Sequence, residues 1–418
     1  MAPDRASAST ATLLSAHEAA SRLGVSKATL YAYVSRGHLS AVPDPSDPRA
    51  RRYSSFEVEM ASRRQSAGRR REQQTLAALN EGWPVLDTAL SCVLQGQPIY
   101  RGHNVLALAR SDTVEDVARL LWQFGPHDPF DADVPVLGDD WQAWARNLRA
   151  RQRPLPERML ALFALALPQL HGPVWLADGA PLARACGQHL RVAMACFLGR
   201  PPQTMPLHRQ FVQAWRLPAR AAEPLRQALV MAADHEMNML AFTARGLASV
   251  GATLGASLLG GLCNTTATFN GGATAQVEAL WDEVAAQPQL TQAVARRLDR
   301  GEGLPGFNHM SYPAGDPRAQ ALLTLCDTLD PLTPATPLAG VVHQLTGWKP
   351  SIDFALVALR RALGAPADAA LALQMAGRCV GMLAHILEQR RSGQRIVVKA
   401  RYVGPEPGPN DTPTSGAR

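Results

Sequence analysis

Between Asp234 and Arg401 the chain carries six short polar signals: Asp234-His235-Glu236, Phe269-Asn270-Gly271-Gly272-Ala273, Pro305-Gly306-Phe307-Asn308-His309, Asp316-Pro317-Arg318, Ile352-Asp353-Phe354 and Gly377-Arg378. They interrupt stretches that otherwise read as Ala/Leu-rich helix. Asp353 offers a carboxylate, His235 and His309 offer imidazoles, and Arg318 and Arg378 offer guanidiniums. A guanidinium's planar fork pairs both oxygens of a carboxylate. An imidazole polarises or protonates an oxygen, and a carboxylate accepts a proton. Such a kit suits gripping a small dicarboxylate while a proton is drawn from carbon. No single signal is specific. A His inside Asp-His-Glu on a helix is more often structural than catalytic, a Gly-Gly loop is common, and one Asp before Phe says nothing alone. Their order and spacing carry the reading.

The elements that must position these groups are helical. Apolar residues at helical spacing predict helices over 113–124, 156–167, 179–198, 222–247, 275–299, 317–330, 353–364 and 367–391. Strand-like runs are few and brief, so the body from about residue 80 is expected to be mainly α. Gly246, Gly251, Gly255 and Gly260 suggest helices whose backbones approach closely. A chain of 418 residues, 46% hydrophobic and 18% charged, has room for more than one domain and a large core. The six cysteines show no Cys-x-x-Cys pair and no ligand spacing, which predicts free, mostly buried thiols and no metal site. The longest apolar run, Met159 to Leu167, is too short to span a bilayer, and no secretory signal opens the chain. A cytoplasmic location without a membrane partner is expected.

Charge is unevenly spread. Residues 1–75 hold 12 Lys/Arg against 7 Asp/Glu, which is +5 of the chain's +7. A segment that basic is expected to meet a polyanion. Ser15, followed three residues later by Glu18, predicts a capped helix to Leu23. Gly24-Val25 makes a turn, Ser26 caps a second helix over 27–35, and Arg49 to Tyr53 reads as a hairpin wing before a third helix from Phe56. The stretch from Ala19 to Tyr33 resembles the DNA-binding domains of the MerR-like winged helix-turn-helix type. That resemblance implies double-stranded DNA as partner, with Ser26, Lys27, Thr29, Tyr31 and Arg36 facing it and Arg51 and Arg52 on its backbone.

The six signals, together with Tyr100-Arg101-Gly102 upstream and Ala384-His385 and Ala400-Arg401-Tyr402-Val403-Gly404-Pro405 downstream, resemble the citrate synthase family over roughly residues 84 to 404. The resemblance implies an all-α fold of a large and a small helical domain, a homodimer, no bound cofactor, and acetyl-CoA or another acyl-CoA as co-substrate of oxaloacetate. In it Asp353 is the base at the methyl carbon, His309 polarises the ketone, and His235, Arg318 and Arg378 grip the oxaloacetate carboxylates. A further cation reaches the partner's site; Lys399 matches it, with Arg401 near enough to leave the register open. Asn270 stands where the family has His, so an amide would face the thioester oxygen instead of an imidazole. Asn308 replaces a small glycine. The expected order is a flexible start (1–10), a winged helix-turn-helix (11–62), a basic linker (63–80), a citrate synthase-like body (81–404, its small domain near 235–350) and a disordered tail (405–418). Two functions follow: a citrate synthase-type acyltransferase, or a DNA-binding regulator whose body senses an oxo-acid or acyl-CoA without efficient turnover.

Overall fold

The computed structural model describes residues 13–35, 39, 41–44, 47–54, 58, 86–131, 133–170, 178–267, 272–329, 335–397 and 404. The chain divides into two compact units, Met1–Asp87 and Thr88–Arg418. The expected linker, the helix from Phe56 and the C-terminal tail fall outside the described residues, apart from Val58.

In the first unit β1 (Leu13–Ser15) runs into α1 (Ala16–Leu23), then α2 (Lys27–Ser35) and a hairpin of β2 (Ala41–Asp44) and β3 (Asp47–Ser54). Helix α1 starts where the capping residues place it. Ser15 Oγ accepts the Glu18 N–H, and the Glu18 carboxylate accepts the Ser15 N–H, a reciprocal cap whose loss costs about 0.5–2 kcal/mol. It stops at Gly24, which sits at φ +63° where a side chain is disfavoured. Strand β3 lies between β1 and β2, antiparallel to both, with Tyr53 opposite Leu14 and Arg52 opposite Val42. Leu14, Ala19, Leu23, Leu30, Leu39 and Tyr53 close a small core of their own.

The second unit opens with a small antiparallel sheet, β4 (Ser91–Leu94), β5 (Gln97–Tyr100) and β6 (His103–Asn104). Helices follow: α3 (Val105–Ser111), α4 (Val114–Trp122), α5 (Asp139–Ala150), α6 (Leu155–Ala166), α7 (Gly179–Leu198), α8 (Leu207–Trp215), α9 (Ala222–Ala232), α10 (Met239–Ser249) and α11 (Leu254–Cys263). The rest are α12 (Gly272–Ala285), α13 (Leu290–Asp299), α14 (Pro317–Leu329), α15 (Ala335–Thr346), α16 (Ile352–Ala362) and α17 (Ala369–Ser392).

Two expected helices are each divided. The stretch 222–247 breaks into α9 and α10, with Asp234-His235-Glu236 in the gap; Glu236 lies at φ +50°, which no right-handed helix accepts. The stretch 275–299 breaks at Pro288, which has no N–H to donate. Helix α11 runs through Gly255, Gly260 and Gly261 in spite of their low propensity. A Cβ at Gly261 would lie 3.0 Å from the Leu240 carbonyl and 3.3 Å from Ala244 Cβ of α10, so the close approach of the two helices favours glycine.

Helix α17 is the spine. Its residues are buried on nearly every side from Ala369 to Leu387, and it packs on α4, α9, α10, α11 and α16. By length and composition it could cross a membrane, but 94% of its most apolar stretch lies inside the fold, as in a core helix. All six cysteines are free; Cys186, Cys196, Cys326 and Cys379 are buried, while Cys263 is exposed.

Candidate active site

Three local constructions bring the polar signals together. The first holds His235. Ser91 Oγ on β4 donates to the Asp234 carboxylate and accepts the Glu236 N–H at 2.9 Å, and the Val93 N–H donates to Glu236 Oε1 at 3.0 Å. Tyr100 on β5 accepts the Asp234 N–H and donates to the Asp234 carbonyl, both at 2.9 Å. Burial pushes its phenol up to about 12, so it stays a donor at any ordinary pH. The hairpin thus clamps the break between α9 and α10 from both sides.

The second holds Arg378. A Cβ at Gly377 would lie 2.7 Å from the Leu229 carbonyl, and one at Gly381 would lie 2.4 Å from both the Ala233 carbonyl and Asp234 Oδ1. Bare backbone at these two positions lets α17 lie directly against the end of α9. Asp234 is fully enclosed there. Its burial favours the neutral acid, but His385, Arg378 and Ser91 outweigh burial and hold the carboxyl below its ordinary range. His385 Nε2 lies 3.4 Å from Asp234 Oδ2.

The third joins His309, Arg318 and Asp353. Phe307 bridges Pro350 in antiparallel fashion, the Asn308 N–H donates to the Lys349 carbonyl at 3.0 Å, and the Ser351 N–H donates to the Gly306 carbonyl at 2.8 Å. Asn308 adopts φ +60°, a conformation that asparagine tolerates better than most residues. Asp316 accepts from Arg318 Nε at 3.0 Å and Nη2 at 2.8 Å, and also from the Ile352 N–H at 3.1 Å. The N-termini of α14 and α16 are thereby tied together at the residue next to Asp353.

These constructions meet at a cavity of about 160 Å³ lined by His235, His309, Arg318, Asp353 and Arg378, together with Gln374. The His235 and His309 rings stand edge-on with centroids 5.0 Å apart. Burial, then the Arg318 charge, holds His309 below its ordinary pKa against the pull of Asp316 and Asp353. Ser311 N–H donates to its Nδ1 at 3.2 Å, so the neutral ring carries its proton on Nε2. Burial and the charges of Arg318 and Arg378 also lower the pKa of His235. Arg318 Nη1 and Arg378 Nε and Nη1 are buried without a hydrogen-bond partner. Buried cationic donors left open are costly unless an anion completes them. The arrangement sets two guanidiniums, which can pair carboxylates, beside a neutral Nε2–H donor and the Asp353 carboxylate.

Asn270, Lys399, Arg401 and Arg36 lie outside the described residues. In the first unit Lys27 and Arg51 are exposed and Tyr31 is 52% exposed. Ser26 Oγ accepts the Thr29 N–H at 3.2 Å and lies 3.0 Å from Thr29 Oγ1, so both side chains are engaged in a helix cap. Arg52 Nε is bound to Asp44 at 2.6 Å, which occupies its charge within the hairpin. Sequence reasoning missed Gln374, whose amide donates to Asp353 Oδ1 at 2.6 Å. Its position one turn before Arg378 on α17 was the available signal. It also missed Tyr312, packed 5.0 Å under the Arg318 guanidinium, and the role of Ser91.

A family model described as citrate synthase, C-terminal domain, matches residues 78–400. A Mycobacterium tuberculosis protein provisionally named citrate synthase 2 is 37% identical over 189 residues, covering 43% of this chain and 50% of that protein. Citrate synthase 2 of Bacillus subtilis is 28% identical over 191 residues, covering 44% and 51%. The chain thus spans about half the length of these curated relatives. Among solved structures, citrate synthase from Thermotoga maritima aligns with a TM-score of 0.64 at 20% identity, over 78% of this chain and 95% of that one. The Thermoplasma acidophilum enzyme, solved with carboxymethyl coenzyme A and oxaloacetate, gives 0.63 at 19% identity over 78% and 95%. With the family model covering residues 78–400 and the fold matching over 78% of the chain, the chain belongs to the citrate synthase family.

Proposed function

We propose that this chain condenses acetyl-CoA, or a related acyl-CoA, with oxaloacetate to give citrate and free CoA. The observation that supports this best is the single cavity lined by His235, His309, Arg318, Asp353 and Arg378. In this reading Arg318, Arg378 and His235 hold the two carboxylates of oxaloacetate. Asp353 takes a proton from the methyl carbon of the thioester. That carbon bonds to the keto carbon, and the keto oxygen takes the Nε2 proton of His309. Water then cleaves the thioester and CoA leaves. Asn270 presents an amide to the thioester oxygen; the loss of one strong donor at such a position typically slows turnover by about 10²–10³. Lys399, or Arg401, completes the site of the other subunit in a homodimer, and a small domain near 235–350 closes over the ligand.

The test is release of CoA from acetyl-CoA with and without oxaloacetate. Oxaloacetate-dependent release that Asp353→Ala abolishes supports the condensation. A protein that is stabilised by oxaloacetate yet releases no CoA sinks it.

A second reading rests on the first unit. Lys27 and Tyr31 are exposed on α2 and Arg51 on β3, in the most basic part of the chain. A winged helix-turn-helix there would bind double-stranded DNA while the body senses an oxo-acid or acyl-CoA. Asn270→His separates the two. A large gain in turnover marks an enzyme lacking one donor, whereas binding without gain favours the sensor.

A further inference from the structure

Four of the residues that line the cavity carry buried side-chain atoms without a partner: Arg318 Nη1, Arg378 Nε and Nη1, His235 Nε2 and Gln374 Oε1. Gln374 differs from the rest because its open atom can only accept. Its orientation follows from chemistry: a carboxylate oxygen accepts, so the amide NH₂ must be the end that lies 2.6 Å from Asp353 Oδ1, and Oε1 must face the other way. Oxaloacetate in its keto form carries acceptors alone. It answers the guanidiniums and leaves Oε1 unmet. A buried acceptor without a partner is a penalty that a ligand's O–H group removes.

The geometry points to Gln374 as a specificity-determining residue that makes this cavity favour a dicarboxylate bearing a hydroxyl group over one without. This rests on the dicarboxylate reading above. Two carboxylates meet Arg318 and Arg378, and the hydroxyl donates to Gln374 Oε1 beside Asp353. The same amide, fixed between a ligand hydroxyl and the Asp353 carboxylate, couples the shape of the bound acid to the orientation of that carboxylate.

The experiment is calorimetric titration of the full chain with malate and with succinate, which differ by one hydroxyl group. The wild-type protein is expected to bind malate about tenfold more tightly. Gln374→Met, which keeps length and removes both polar ends, is expected to weaken malate about five- to tenfold and leave succinate within about twofold. Equal binding of the two acids by the wild-type chain overturns the inference and needs no variant. A preference for malate that survives in Gln374→Met overturns it as well, since the hydroxyl would then be read elsewhere, at His235 or His309. If the folded wild-type chain binds neither acid, the dicarboxylate reading falls too, an outcome distinct from equal binding.

Discussion

Asp316 grips Arg318 at two points, Oδ1 to Nε at 3.0 Å and Oδ2 to Nη2 at 2.8 Å, with both side chains at 1% exposure or less. The grip turns a flexible cation into a fixed one and leaves Nη1 without a hydrogen-bond partner. Removing one partner of such a pair strands the other. Asp316→Ala is expected to cost about 3–5 kcal/mol in urea unfolding. Added dicarboxylate should recover part of that loss by pairing with the guanidinium. A cost under about 1 kcal/mol would show that the pair does not hold the site.

Gly381 is the tightest point between α17 and the Asp234 loop. Gly381→Ala is expected to destabilise by about 1–3 kcal/mol, as overpacked cores do, and to weaken dicarboxylate binding because Arg378 moves with the helix. Gly340→Ala is the matched control. Its Cβ meets open space in α15, and helix propensity there predicts a gain of about 0.5–1 kcal/mol. Thermal melts that rank the two substitutions the other way would disprove the packing argument.

Acid should weaken the fold through its histidines. His189 is buried with Nδ1 2.7 Å from the Ala185 carbonyl, and burial lowers its pKa to about 4. The unfolded chain titrates near 6.5. Below that value the unfolded state binds a proton that the folded state refuses, so stability falls by about 1.4 kcal/mol per pH unit until about pH 4, where this contribution levels off. His235 and His309 are lowered too and act with the same sign. Urea unfolding from pH 7 to pH 5 should show the decline, and His189→Gln should remove about one histidine's share of the slope. A flat profile would contradict it.

For the first unit the Arg52–Asp44 pair makes a discriminating forecast. In mobility shifts with duplex DNA, Arg51→Ala should weaken binding and reduce the salt dependence by about one charge. Arg52→Ala should do less, because Asp44 already occupies that guanidinium. Binding that ignores salt, or an Arg52 effect exceeding that of Arg51, would reject the picture.

The cavity residues were legible in the sequence to the degree that their chemistry is rare. Two imidazoles, two guanidiniums and a carboxylate stand out in Ala/Leu-rich helix, and His235, His309, Arg318, Asp353 and Arg378 all line one space. Gln374 did not stand out, since a lone glutamine on a helix is ordinary until its partner is known. The break at Asp234-His235-Glu236 was hidden because periodicity sees only apolar spacing. The strain at Glu236 is offset by tertiary bonds to Ser91 and Val93, 145 and 143 residues away in the chain. Strands β4 to β6 span two to four residues each, too short for an alternation to register.

The antiparallel bridge between Phe307 and Pro350 welds the His309 loop to the start of α16. His309 and Asp353 therefore share one frame of reference. In the proposed reading, motion of α9 or α17 against that frame resizes the space around a bound dicarboxylate. The spacing between the His309 loop and the start of α16 is set by that bridge. Gln374, bonded to Asp353 Oδ1 at 2.6 Å, is the link by which α17 reaches into that frame, so a shift of the helix is felt at the carboxylate through one amide.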